Sequence, residues 1–505
     1  RFCHMIYENH EKLKNIYEKF RNIGQDSKAL DTFVRTMYQE RTFFRSLFSS
    51  LDRENVVQFV PNYRMDAKTL AVSIATEEDP IMLVTLLITA LHQMFYQLVE
   101  MEGNHYLRLD GGQEITGGLP APVYYIILAA DKDKHYILDT LAILYALESI
   151  YQKYFYLGMD FEFTLRKIQL VQLNFEHPVD KRSLIVLVNP GELDKPIRED
   201  LIDLVFCNQY IKKILHGADS LDVPYIYNEL LQEDTDRILH FTLSMIDTKI
   251  LCEYYKLNRP GKSVEGRCSI YDEDPDKSAV YYFGVVNGEQ QNRLSLLLKS
   301  MPPVQDIVWN IHRMPRAQIL YAQYDVLYLK WFYYAIINRA AQDVSNDAGK
   351  KAIMILYKHV LYEFTQFAYL ERKNITNLVQ KIKVIVDPIN NYMVHLEHER
   401  SERPVRLVDL FNQKAAGIVT TRIWADLDKI ANVNYYKLLV RNILKHLLYA
   451  LISQNFTIYR TKLSIWDVRL DNQFIFQYLK DYHFEYLLKI FKEAQEILRE
   501  RVRNL

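Results

Sequence analysis

The chain has 505 residues, of which 49% are hydrophobic and 25% charged, and its 62 basic against 63 acidic side chains leave a net charge of −1. That length exceeds one ordinary core and implies two or three domains, while the balanced charge excludes a whole-molecule field that would steer the chain onto nucleic acid, so any such binding must come from a local basic surface. The four cysteines, Cys3, Cys207, Cys252 and Cys268, have no C-x-x-C spacing; they indicate neither a zinc site nor a disulfide framework, and point to a reducing intracellular compartment such as nucleus, cytoplasm or viral particle.

Residues 1–117 read as an N-terminal helical domain, with "KALDTFVRTMYQERTFFRSLFSSL" placing apolar residues three and four apart. The apolar run Ile81–Val99 approaches membrane-spanning length. Its internal His92, Gln and Thr residues and its acidic flanks mark it as a buried helix, and no membrane association is expected. Glycines and prolines then cluster in "RLDGGQEITGGLPAP", a boundary or hairpin loop.

From "VYYIILAAD" the pattern mixes types: a strand, a helix over about 135–153, strands over about 156–164, 167–175 and 184–189, and helices around the short strand "KKIL". Strand pairs followed by crossover helices imply an α/β domain over 118–342. Within it, residues 258–290 are rich in turn residues and acids and read as a surface insertion. Residues 343–505 are helical by period and form the C-terminal domain. No internal repeat and no low-complexity tract is present.

The chemistry-bearing residues lie in the α/β region. In "GMDFEF" Asp160 and Glu162 are two apart on a strand and so share a face. Two like charges side by side repel unless something positive lies between them. "KKILHGADSLDVPYIY" supplies a strand, a glycine turn and an acid opening a helix, and "RAQILYAQYDVLYLKWF" an apolar helix with Tyr321 and Asp325 four apart on one face. An aspartate within so apolar a run needs a partner, because a buried unpaired charge is costly.

In this order, "GMDFEF", "ILHGADSLD" and "YAQYDVLYL" resemble the three motifs of the RNase D group, the DEDD-y 3'-to-5' exonucleases, which have a ribonuclease H-like fold. "KKILH", "IDTKIL" with Asp247 and Thr248, and "WNIHRMPRAQILYAQYD" resemble supporting segments of that group. The resemblance covers about residues 120–340 and neither flank. It implies a mixed sheet flanked by helices, set between the N- and C-terminal domains whose own periodicity is mainly helical. It further implies Asp160, Glu162, Asp222 and Asp325 as ligands of two divalent ions, Mg²⁺ or Mn²⁺, with Asp160 bridging both, and Tyr321 as the tyrosine that orients the attacking water.

One departure concerns the second motif, whose Asp ordinarily follows the His by five residues; here Asp219 follows His216 by three and Asp222 by six. Asp222 is preferred because Ile226 then falls where the group has an apolar packing residue, and Asp219 is the alternative. The long gap between second and third motifs is attributed to the 258–290 insertion.

The implied activity is hydrolysis from the 3' end of single-stranded nucleic acid, RNA favoured over DNA, releasing nucleoside 5'-monophosphates. The alternative is a nucleic-acid-binding or scaffold subunit of a larger assembly, its helical flanks binding protein partners. His216 is a candidate phosphate contact, set against satisfaction by a backbone group. Phe161 and Phe163 alternate with the acids and are expected in the core; Lys212 and Lys213 are expected to solvate a strand edge. His395 and His398, at i and i+3, lack a third ligand for zinc and lie in a charged helix face. Asp139 copies a first motif but lacks the second acid, and Lys437, Arg441 and Lys445 match a solvated amphipathic helix.

Overall fold

The computed structural model describes residues 2–21, 27–50, 67–79, 104–105, 123–128, 132–152, 155–176, 183–218, 222–257 and 268–343, with Met65 and scattered positions between 82 and 90 and between 350 and 369. Most of the apolar run Ile81–Val99, and His395, His398, Lys437, Arg441 and Lys445, lie outside these residues. No helix among the described residues is long and apolar enough to cross a membrane.

Two compact units are present: residues 1–246 with 271–331, and residues 247–270 with 332–505. The expected boundary near residue 117 therefore does not separate two units. In the first unit α1 (Phe2–Glu8), α2 (His10–Arg21), α3 (Ser27–Gln39), α4 (Arg41–Ser50) and α5 (Ala67–Thr76) precede the strands. Helices α3 and α4 pack against α6 (Lys132–Tyr151). Leu138, Leu141, Ala142, Tyr145 and Ile150 of α6 are all buried, which is why its amphipathic pattern is weak: neighbours cover it on more than one side.

The sheet has seven strands: β1 (Asn104–His105), β2 (Val123–Leu128), β3 (Tyr156–Thr164), β4 (Lys167–Glu176), β5 (Ser183–Val188), β6 (Lys212–Leu215) and β7 (Met245–Asp247). Their spatial order is β1-β2-β5-β4-β3-β6-β7. Strand β3 lies inside it, antiparallel to β4 and parallel to β6, while β4 is antiparallel to β5 and β5 parallel to β2. The fold class is thus α/β with a mixed sheet flanked by helices.

Alternation divides the β3–β4 pair into two unlike faces. Leu157, Met159 and Phe161 stand opposite Phe175, Leu173 and Val171, and this apolar face meets α6, whose Tyr145 packs edge-on against Phe175 at 5.1 Å. On the other face Gly158, Asp160 and Glu162 stand opposite Asn174, Gln172 and Leu170. That face is covered by α13, defined below.

After β5 follow α7 (Lys195–Asp200), a π-helical turn (Leu201–Phe206), β6, α8 (Asp222–Tyr225), a second π-helical turn (Ile226–Leu230) and α9 (Thr235–Leu243). Beyond β7 come α10 (Thr248–Leu257), α11 (Ala279–Tyr282), α12 (Gly288–Ser300), α13 (Arg316–Leu327) and α14 (Leu329–Gln342).

Three expectations are corrected. Lys213 does not solvate an edge: β6 lies between β3 and β7, and the fully buried Lys213 ammonium donates to the Asn208 carbonyl at 2.8 Å and to Ser244 Oγ. Burial pushes its pKa well down. Cysteines Cys252 and Cys268 of the second unit form a disulfide with Cα atoms 6.1 Å apart; fifteen residues between them leave no motif to read, and the bridge removes the basis for a reducing compartment. The described part of the expected surface insertion is not all surface, since Ala279, Val280, Phe283 and Val286 are buried.

Helix α13 approaches β3 closely because Gly158 has no side chain. A Cβ there would meet the Val326 carbonyl oxygen at 2.9 Å, a backbone atom that cannot rotate away. Asn174 Nδ2 donates to that carbonyl at 3.2 Å. Gly158→Ala is expected to lower stability by about 1–3 kcal/mol through overpacking, measurable as a shifted denaturant midpoint.

Candidate metal centre

Strand β3 brings Asp160 and Glu162 to the face under α13, and α13 brings Asp325 down onto it. Carboxylate oxygens of Asp160, Glu162 and Asp325 all lie within 4.8 Å of one another. Glu162 and Asp325 are buried, and Asp160 retains partial exposure. No lysine or arginine among the described residues compensates them; their partners there are one another, the Phe161 backbone and Gln172.

Gln172 is the residue that sequence reading missed. It stands opposite Asp160 on β4, is fully buried, and its Nε2 donates to Glu162 Oε1 at 3.1 Å and to Asp325 Oδ2 at 3.4 Å. One amide therefore links the strand carboxylate to the helix carboxylate. Two further polar contacts follow along the same face of β4: Asn174 to the Val326 carbonyl, and Glu176, whose Oε2 accepts from Lys330 Nζ at 2.6 Å. A polar residue at every second position of an otherwise apolar strand was the available signal.

Burial and mutual repulsion act on all three acids in one direction. Asp160 and Asp325 are raised well above the ordinary aspartate range, each chiefly by burial and then by the neighbouring carboxylates. Burial raises Glu162 to about 7, against partial relief from its contacts with Asp325 and Gln172. Acids buried elsewhere in the unit are treated differently. Asp139, in α6, is raised to about 10 by burial and by Asp200, but Arg45 Nε lies 3.1 Å from Asp200 and its NH2 group 2.6 Å from Asp203. Among the described residues, the three-acid group has no such arginine.

Tyr321, one turn before Asp325 on α13, is raised by the Asp325 carboxylate first, then by burial, then by Glu162 and Asp160. It therefore belongs to the same electrostatic site and stays a neutral phenol at any working pH. Trp309 stacks on its ring, centroids 6.2 Å apart and 27° between planes.

The remaining predicted residues are placed less centrally. Asp222 opens α8 and is buried, as is Ile226 behind it, yet Asp222 is not in the group whose oxygens lie within 4.8 Å. This departs from the expected four-acid set. The reason is structural: β3 and α13 pack directly, whereas α8 starts only after the turn beyond β6. Asp219 lies outside the described residues. His216 is half-buried. It follows β6 two residues beyond the pair Gly158↔Ile214, as Asp160 follows Gly158 on β3. Phe161 is in the core, packed near Phe206, but Phe163 is only half-buried and lies against Tyr225 at 5.1 Å. The β-bulge in the ladder at Glu162/Phe163 marks where β3 leaves the core.

The donor set fits a hard divalent cation. Three carboxylates with no cationic partner among the described residues are the ligands Mg²⁺ and Mn²⁺ take, and a cation would bring the balancing charge.

No family model matches the chain. Over 496 residues it is 42% identical to the uncharacterized protein L533 of Acanthamoeba polyphaga mimivirus, spanning 98% of this chain and 96% of that protein. The chain belongs to the family of that mimivirus protein. The likeness extends through both flanks of the α/β region, so the flanks and that region are one inherited unit of sequence.

Two outcomes are expected. Gln172→Leu should weaken Mn²⁺ binding about 10–100-fold, the effect of removing a group that orients ligands, measured by titration with the paramagnetic signal of free Mn²⁺. Because the folded pKa of Glu162, about 7, exceeds its ordinary 4.5, its contribution to stability is full below 4.5 and is lost as pH rises through about 7. The metal-free melting temperature should fall over that window, and added Mn²⁺ should raise it more at pH 8 than at pH 5.

Proposed function

We propose that the chain is a metal-dependent 3'-to-5' exonuclease with a ribonuclease H-like fold, acting on single-stranded nucleic acid, RNA in preference to DNA. The observation that carries this reading is the convergence of Asp160 and Glu162 from a strand, and of Asp325, 163 residues beyond Glu162, from a helix, onto one oxygen cluster with no cationic side chain among the described residues. The mixed sheet with the first-motif strand inside it supports the fold assignment.

In this reading Asp160, Glu162 and Asp325 hold the metal pair, and Asp222 supplies a further ligand. A pair of divalent ions, when bound, activates water, neutralises charge on the phosphorus and stabilises the leaving 3'-oxygen. The chain's residues prepare that chemistry. Gln172 holds Glu162 and Asp325 in one orientation. Tyr321, kept protonated by its acidic neighbours, orients the attacking water as a hydrogen-bonding phenol rather than taking its proton. Trp309 restrains the Tyr321 ring. The reaction adds water to the terminal phosphorus, breaks the bond to the preceding 3'-oxygen and releases a nucleoside 5'-monophosphate.

A second reading, a scaffold subunit that retains an exonuclease-like centre, draws on the absence of Asp222 from the group of three acids. One experiment separates the two. A 5'-labelled oligonucleotide incubated with Mg²⁺ or Mn²⁺ should shorten stepwise from its 3' end, and Asp160→Asn should abolish the ladder. Tyr321→Phe should slow it about 10²–10⁴-fold, and Asp222→Asn should slow it as well. Retained binding without hydrolysis by the unaltered chain would assign the scaffold.

A further inference from the structure

The Asp325 carboxylate lies in the last turn of α13, where a helix runs out of amide partners for its own carbonyls. Two carbonyls of that turn are taken by side chains from elsewhere in the unit. Asn174 Nδ2 donates to the Val326 carbonyl at 3.2 Å, and the Tyr271 hydroxyl donates to the Tyr324 carbonyl. Asp325 is the residue between them. Tyr271 belongs to the segment that reads in sequence as a surface insertion, yet its ring packs edge-on against Tyr324, centroids 6.2 Å apart and 65° between planes. Burial raises its phenol well above the ordinary tyrosine range, and the Asp325 carboxylate is the next cause.

The chain is held on either side of Tyr271. After it, the Asp272 carbonyl accepts from Gln291 Nε2 at 2.9 Å, and the same buried amide reaches Ser295 Oγ at 3.2 Å. Gln291 and Ser295 are on α12, which packs against α13. Before it, Cys268 is bonded to Cys252 of α10, with both cysteines buried. Three residues of chain span at most about 10 Å, so the closed bridge limits where Tyr271 can go. With the bridge open, the tether back to α10 would run through residues 258–270, and a longer tether costs more entropy to fix.

We propose that Tyr271 is a positioning residue of the metal centre, which fixes the Asp325 carboxylate from the inserted segment as Asn174 fixes it from β4, with the Cys252–Cys268 bridge as its tether. The inference rests on the reading of Asp325 as a metal ligand. It gives the segment between the second and third motifs a part in assembling the centre. A hydroxyl needed only to join two elements could bond to any free carbonyl of α13; this one takes the carbonyl next to the ligand. Without it the last turn of α13 is held by Asn174 alone. A carboxylate set loose by about 1 Å is a poorer ligand, and Mg²⁺ above all demands near-ideal geometry.

The test uses the full chain, with Mn²⁺ alone as the probe. Tyr271→Phe keeps the ring on Tyr324 and removes only the hydroxyl; it should weaken Mn²⁺ binding at least about tenfold. Cys252→Ala/Cys268→Ala, which opens the bridge, should weaken it in the same direction. Val280→Ala, at a fully buried site in the same segment, controls for lost stability and should leave Mn²⁺ affinity unchanged although it melts lower. In the oligonucleotide digestion, the slower ladder of Tyr271→Phe should recover as Mn²⁺ is raised, which a merely unfolded fraction would not do. Unchanged affinity in Tyr271→Phe, or an equal loss in Val280→Ala, overturns the inference. Absence of Mn²⁺ binding by the unaltered chain overturns the metal centre and the inference with it. Weakened binding by Tyr271→Phe, with no ladder from the unaltered chain, rejects the nuclease and keeps the positioning role.

Discussion

The candidate site depends on how near the backbone of one helix comes to the backbone of one strand. Gly158 leaves room for the Val326 carbonyl, and Asn174 ties that carbonyl down. Asp325 immediately precedes Val326, so fixing one fixes the other. A turn earlier Tyr321 is placed over the same strand face. A bulkier residue at 158 would lift the helix, and Asp325 would leave its two strand partners together with Gln172.

That approach has an electrostatic consequence. Three carboxylates enter a poorly solvated space where the Gln172 amide, the Phe161 backbone and their own hydrogen bonds give partial relief, and each becomes harder to ionise. The same unit shows that the chain can set arginine beside its acids, at Arg45 with the buried Asp200 and the half-buried Asp203 and at Arg237 with Asp203. A cluster left without such pairing works against the fold unless a cation completes it, and local conflicts of this kind collect at functional sites. The second unit carries a different constraint, the Cys252–Cys268 bridge, which ties α10 to the start of the segment leading back to the first unit.

Much of this was legible in residue order. The period-two spacing of Asp160 and Glu162 and the period-four spacing of Tyr321 and Asp325 each survive folding intact, because both are properties of a single regular element. The strands at 156–164 and 167–176 likewise follow from their own alternation. Gln172 was present in the same alternation but passed unnoticed, since a glutamine in an apolar strand carries no charge to demand an explanation. Lys213 was misplaced for a related reason: a lysine beside another lysine looks exposed until β7 is seen to close the far side of β6. Phe163 and the Leu165–Arg166 tip of the β3–β4 hairpin depended on a bulge and a turn whose residues are not the usual turn formers.

By itself, the sequence determined the periodic content: which segments are strands and helices, which residues share a face within each, and which acids are candidates for a metal. Only the tertiary structure decided which of those faces meet. It joined 160, 162 and 325, left Asp222 outside that group, paired two cysteines sixteen positions apart and supplied Gln172 as the link. The physical reason is that local backbone geometry depends on neighbours in the chain, whereas the approach of α13 to β3 depends on a missing side chain at Gly158 and an oxygen 168 residues further on.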